Sequence, residues 1–133
     1  MTIKEACEKY HISQDTLRYY ERVGVIPQVG RTAGGIRDYG PSDCGWIENA
    51  ICMRNAGLPI ESIIEYVALF QQGDETIPAR LGLLRDELEH LLEKREQLEA
   101  AIHKLQYKVS RYEIAMETGI LSWEESDHES IDA

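Results

Sequence analysis

Thr16-Leu17-Arg18-Tyr19-Tyr20-Glu21-Arg22-Val23-Gly24-Val25-Ile26-Pro27, with Gly35-Ile36-Arg37-Asp38-Tyr39 shortly after it, is the stretch on which the fold of this chain turns. Leu17, Tyr20 and Val23 recur at the spacing of one helical face, which leaves Gln14, Arg18, Tyr19 and Arg22 largely outward. Ser13, with Asp15 in the first turn, is a good cap for this helix, and the helix ends near Gly24. Upstream, Thr2-Ile3-Lys4-Glu5 has the spacing of a capping box, so a first helix is expected from Ile3 to about Tyr10, with His11 and Ile12 in the turn. Two short helices joined by a tight turn therefore open the chain.

Downstream, Val25-Ile26-Pro27 and Gly30-Arg31-Thr32-Ala33-Gly34-Gly35-Ile36-Arg37-Asp38-Tyr39 read as short extended runs around a hairpin. Gly34 and Gly35 are expected to supply two positive-φ turn positions, giving a small wing. Pro41, after Gly40, begins a third helix with Asp43 in its first turn, and Gly57 ends it. Ile60, Ile63, Ile64, Val67 and Ala68 give a fourth amphipathic helix, broken by Gln72-Gly73-Asp74-Glu75 and Pro78. From Ala79 to about Glu117 apolar residues fall on alternating spacings of three and four: Leu81, Leu84, Leu88, Leu91, Leu98, Ile102, Leu105, Val109, Tyr112 and Met116, with Arg95 the polar exception. Such a heptad seam, about 58 Å long at about 1.5 Å per residue, exceeds what a core of this size can bury. It needs a partner, most simply a second copy. The expected division is a head at 1–72, a pairing helix at 79–117 and an acidic tail at 118–133, with Trp123 packed on the helix tip or on the partner, or the tail disordered at its end.

At 133 residues and 15.2 kDa the chain is too small for a large enzyme with separate substrate and cofactor domains. No glycine-rich phosphate loop and no catalytic pair or triad stands out, so no enzyme is expected. No apolar run approaches the roughly 20 residues of a membrane helix, no secretory signal is read, and three cysteines make no disulfide framework. A cytoplasmic protein is expected. Net charge is −10, which would seem to oppose a polyanion partner. Through Gly57, however, seven basic residues balance seven acidic ones, so the deficit lies beyond. A neutral head can still bind phosphates if its arginines share a face, because the field that matters is local. The helix pair and the arginines of the wing fit a DNA-reading surface, and from periodicity alone they fit a plain packing module equally well.

The Thr16–Pro27 stretch with Gly35–Tyr39 resembles the signature of MerR-family transcription regulators, and the resemblance runs over nearly the whole chain. It implies a mainly α fold: a winged helix-turn-helix DNA-binding domain, a second helix pair, and a long dimerisation helix that forms an antiparallel coiled coil. It further implies a homodimeric activator on a pseudo-palindromic operator, bending and untwisting an over-long promoter spacer so that RNA polymerase engages both of its elements. Carried over by residue, Arg18 and Tyr19 would meet phosphates and base edges, and Tyr20 would offer its hydroxyl or pack inward. Ser13, Gln14 and Thr16 would meet phosphate at the helix start. Arg31, Gly35 and Arg37 would set the wing on the flanking backbone, with Tyr39 bracing it. Leu81, Leu84, Leu88, Leu91, Leu98, Ile102, Leu105 and Val109 would form the dimer seam. The pair Gly40-Pro41 departs from the single polar cap more usual in the family.

Metal-sensing members resemble one another in a cysteine at the start of the long helix and a cysteine-bearing loop after it. Here no cysteine follows Cys52, and His11, His90, His103 and His128 have no ligand spacing, so neither metal nor cofactor is expected. No appended drug-binding domain is read either. Among Cys7, Cys44 and Cys52, the bland reading of each is a small buried hydrophobe. The chain is closest to the short aldehyde- and electrophile-responsive subgroup of stress regulators, which shares the length, the missing metal loop and a cysteine at the position of Cys52. That resemblance implies Cys52 as sensor, its adduct lying where the head meets the partner's long helix, with Cys44 the second candidate. The rival reading is a coiled-coil interaction protein with no role at DNA, or a regulator with another inducer.

Overall fold

The computed structural model describes residues 1–124 and is mainly α. Five helices follow one another: α1 (Ile3–Tyr10), α2 (Gln14–Val23), α3 (Pro41–Asn55), α4 (Ile60–Gln72) and α5 (Ile77–Thr118). By compactness the chain forms two units, residues 1–89 and the part from His90 onward.

In the first unit the helix ends follow the local chemistry. The Thr2 hydroxyl accepts the Glu5 N–H at 3.2 Å and the Glu5 carboxylate accepts the Thr2 N–H at 3.2 Å, satisfying two otherwise orphaned donors of α1. His11 closes that helix in the left-handed region (φ 54°), and two residues later Ser13 Oγ caps α2 by accepting the Thr16 N–H at 3.1 Å. Gly24 (φ 95°) ends α2 with its N–H on the Tyr20 carbonyl. At Gly40-Pro41 no side chain caps α3; the Asp43 carboxylate reaches back to accept the Gly40 N–H at 2.9 Å, and Pro41 in the first helical position has no N–H to satisfy. Leu17, Ile47, Ile63 and Val67 from three helices meet Val25, Ile26 and Tyr39 from the connecting segments in one core. This core fixes the angle at which α2 is presented.

Two expectations are corrected. Gly35 has positive φ (81°), but Gly34 does not. The Gly35 N–H bonds the Thr32 carbonyl at 2.9 Å and the Thr32 N–H bonds the Ile36 carbonyl at 2.8 Å, a tight turn followed by one left-handed residue, which needs a single permissive position. The wing is accordingly held by one antiparallel bridge, Arg31 to Arg37, without longer strands. The second correction concerns Pro78. The chain breaks at Gly73 (φ 108°) and a 3₁₀ turn, Asp74–Thr76, whereas Pro78 lies inside the first turn of α5, where no N–H is required of it. The helix thus starts at Ile77, two residues before the expected Ala79.

α5 has 42 residues and buries none of them. In the second unit its end carries a short hook. Gly119 (φ 77°) turns the chain, Arg111 Nε donates to the Ser122 carbonyl at 2.7 Å, and the Glu124 N–H donates to the Tyr107 hydroxyl at 3.1 Å. Trp123 comes to rest against Tyr107 and Tyr112 of its own helix, with ring centroids 6.0 and 6.1 Å away. The rest of the expected acidic tail, residues 125–133 with Asp127, His128, Glu129 and Asp132, lies outside the described residues.

Candidate nucleic-acid interface

The cap at Ser13 and the core side of Leu17 set the rotation of α2, and with it what faces outward. Arg18, Tyr19 and Arg22 are exposed, while Gln14, Thr16 and Tyr20 are half-buried. Gln14 Oε1 accepts from Arg18 Nη2 at 3.2 Å, and the Arg22 guanidinium lies 5.4 Å from the centre of the Tyr19 ring. Both arginines are therefore steadied on the helix surface, with no carboxylate in ion-pair contact among the described residues. Ser13 is exposed at the helix start, its Oγ 2.8 Å from Thr16 Oγ1.

The wing joins this surface through a residue that the sequence reading counted only as a charge. Glu21 lies four residues after Leu17, on the inner flank of α2, with its side chain only 9% exposed. Its carboxylate accepts the Val29 N–H at 2.9 Å and Arg37 Nε at 2.7 Å. An acid one helical turn from a core leucine, on the inner side of the helix, was the available signal. Burial pushes the Glu21 carboxyl up, but the hydrogen bonds from Arg37 and Val29 outweigh it and hold the group below its ordinary value. A depressed folded-state pKa gives stability that is present above about 4.5 and lost as pH falls through the lower folded value. Glu21→Gln should flatten this acid limb in denaturation curves taken below about pH 4.5, and Glu21→Ala should cost about 1–3 kcal/mol at neutral pH by orphaning the Val29 N–H and Arg37.

Arg31 Nη1 spans the wing turn to the Gly35 carbonyl at 2.8 Å and stays exposed, as does Ile36 at the tip. Tyr39 is 2% exposed beneath the wing, and its hydroxyl has no hydrogen-bond partner among the described residues. It supports the surface from within and offers no face to it. The geometry thus brings together Arg18, Tyr19 and Arg22 on α2 with the wing of Arg31, Gly35 and Arg37, and leaves Tyr39 in the core.

Three free cysteines lie in the head, and Cys7 is within reach of the Arg18 charge. Cys7 is half-buried and burial pushes its thiol up. Cys44 is buried beside Tyr10, whose hydroxyl donates to Glu48 at 2.9 Å. Cys52, late in α3, is exposed. Among the described residues no group of three or more His, Cys, Asp or Glu could hold a metal ion, and no helix is long and apolar enough to cross a membrane.

Fold and surface together define a helix-turn-helix DNA-binding transcription regulator. Residues 1–69 match the model of the MerR HTH family of regulatory proteins. The chain is 52% identical to the HTH-type transcriptional regulator AdhR of Bacillus subtilis (strain 168) over 93 residues, covering 70% of this chain and 66% of that one, just under two thirds of its length. Among solved structures, a MerR-family regulator from Listeria monocytogenes superposes with a TM-score of 0.84 at 39% identity, covering 90% of each chain. HiNmlR, a MerR-family regulator lacking the sensor domain and bound to promoter DNA, superposes with a TM-score of 0.79 at 31% identity, covering 90% of this chain and 95% of that one. The chain belongs to the MerR family.

Proposed function

We propose that this regulator acts as a homodimer on promoter DNA, through a head at 1–72, a pairing helix at 79–117 and an acidic tail at 118–133, and that a thiol-reactive signal, an aldehyde or another electrophile, switches it at Cys52. Arg18 and Tyr19 read the operator with Ser13, Gln14, Thr16 and Tyr20 around them; Arg31, Gly35 and Arg37 hold the wing on the flanking backbone, and Tyr39 braces it. The DNA in the HiNmlR structure supports this assignment of the partner. RNA polymerase is the second partner, engaged once the dimer deforms the spacer.

The observation that carries the sensor is the exposure of Cys52, against the burial of Cys44 and the half-burial of Cys7. A thiolate there attacks the carbonyl carbon of an aldehyde; the new sulfur–carbon bond forms as the carbonyl pair moves to oxygen, which takes up a proton. The product is a polar adduct on the flank of α3, able to bias how the head is held. Cys52→Ser should lose aldehyde induction of the target promoter while keeping operator affinity, and intact-mass spectrometry should show the adduct on the native chain and not on the variant. Undiminished induction in Cys52→Ser ends the proposal, and loss of induction in Cys44→Ser alone moves it to that thiol.

A further inference from the structure

We propose that Asp15 sets part of the operator preference by accepting a hydrogen bond from the exocyclic amino group of a cytosine in the major groove. The inference rests on α2 as the helix that reads DNA, proposed above, and deepens that reading. Asp15 is the second residue of α2 and is exposed. It precedes the fully buried Leu17 by two positions, a rotation of about 200°, and so stands on the far side of the helix from the core. Arg18, Tyr19 and Arg22, three, four and seven residues on, share that side.

The local structure asks nothing of this carboxylate. Ser13 Oγ caps the helix by accepting the Thr16 N–H, and Asp15 accepts no backbone donor. Arg18, one turn away, donates to Gln14 instead, and the Arg22 guanidinium rests beside the Tyr19 ring. The other acid of α2, Glu21, is turned inward and bound to Arg37 and Val29. Asp15 thus makes no hydrogen bond or ion pair among the described residues. It is a bare acid at the centre of a surface that must approach a polyanion.

Against phosphates such a charge is a penalty; against base edges it is a filter. The residues at the start of a recognition helix are those that meet base edges in the major groove. There a carboxylate, which only accepts, suits cytosine, whose N4 amino group donates with no acceptor of its own base beside it. Adenine sets N7 next to its amino group, and guanine and thymine turn carbonyl oxygens outward, so each brings lone pairs against lone pairs. Asp15 therefore discriminates by repulsion as well as by attraction, lowering affinity for most sequences and sparing those with cytosine at its position.

The test is selection of a random-sequence duplex pool by the full chain, followed by affinities for single duplexes. The native chain should enrich cytosine at one position of each half-site, about tenfold over the other bases. Asp15→Ala should lose that preference, keep the others and bind unrelated duplex about threefold more tightly, since a repelling charge is gone. Asp15→Asn should move the preference toward adenine, because an amide accepts from N6 and donates to N7. On the selected duplex, N4-methylation of that cytosine keeps its pair with guanine and puts a methyl group where the free amino hydrogen was. It should weaken the native chain about tenfold and leave Asp15→Ala unaffected. An unchanged base profile in Asp15→Ala, or equal tolerance of the methylated duplex by both chains, overturns the proposal. So does a parallel loss of affinity on every duplex with a lower melting temperature, the mark of an acid that only supports the helix N-terminus. Arg18→Ala tests the reading beneath: if neither it nor Asp15→Ala alters affinity or base profile, α2 does not read DNA and both fall.

Discussion

The chain with Leu98→Asp and Leu105→Asp is expected to sediment as a monomer and to lose about 10²–10⁴-fold in operator affinity. Both side chains are 63% exposed, and α5 buries nothing of its own, so the substitutions remove no contact on which the head depends. What they place in the largely apolar seam is two carboxylates per copy, charges that pairing of the helices would have to strip of water. A dimer holds its second head at high local concentration once the first is bound, and a monomer loses that advantage without losing any contact to DNA. The head should therefore melt as before, by circular dichroism followed at the helical signal, while gel shifts on a full operator weaken and those on a half-site do not. A dimer that persists in this variant would move the pairing surface off the seam.

Arg18→Ala is expected to lower operator affinity by about 1–3 kcal/mol, with the fold intact. Arg18 is exposed, and its hydrogen bond is to Gln14 on the same helix, so its removal leaves the core packing in place. The salt dependence assigns the contact. If the guanidinium meets a phosphate, the slope of log affinity against log salt falls by about one and all sequences weaken alike; if it meets a base edge, the slope holds and one operator position loses its preference. Arg37→Ala should be milder at DNA and costlier to the fold, since that side chain already pairs with Glu21. Full binding by both variants would move the DNA-reading surface off α2 and the wing.

The helices of the head were legible because their signals are local. Thr2 with Glu5, Ser13 with Thr16, and Gly24 each act within one turn, and so α1 and α2 fall where the caps place them. The break at Pro78 was misjudged because proline ends a helix in its interior but suits its first turn, and which applies is decided by Gly73 upstream. The doubled turn glycine misled for a similar reason: sequence shows two permissive residues, while the hydrogen bonds of Thr32 decide how many are used. Glu21 is the larger omission in the site. Its partners Val29 and Arg37 lie eight and sixteen residues away, and only tertiary packing brings them to one carboxylate. Tyr39 was read as a brace for the wing, and periodicity could not say that it is enclosed in the core. For the cysteines, position along the chain was informative about neighbours and silent about exposure, the property that separates Cys52 from Cys44.

The chain has two tryptophans, and they fall in different units. Trp46 stands edge-on to Phe70 at 4.9 Å in the first, and Trp123 lies tilted to Tyr107 and edge-on to Tyr112 in the second. Each unit therefore carries its own intrinsic fluorophore. With Trp46→Phe or Trp123→Phe, emission from the remaining indole follows one unit at a time through titration with DNA or electrophile, with no dye attached.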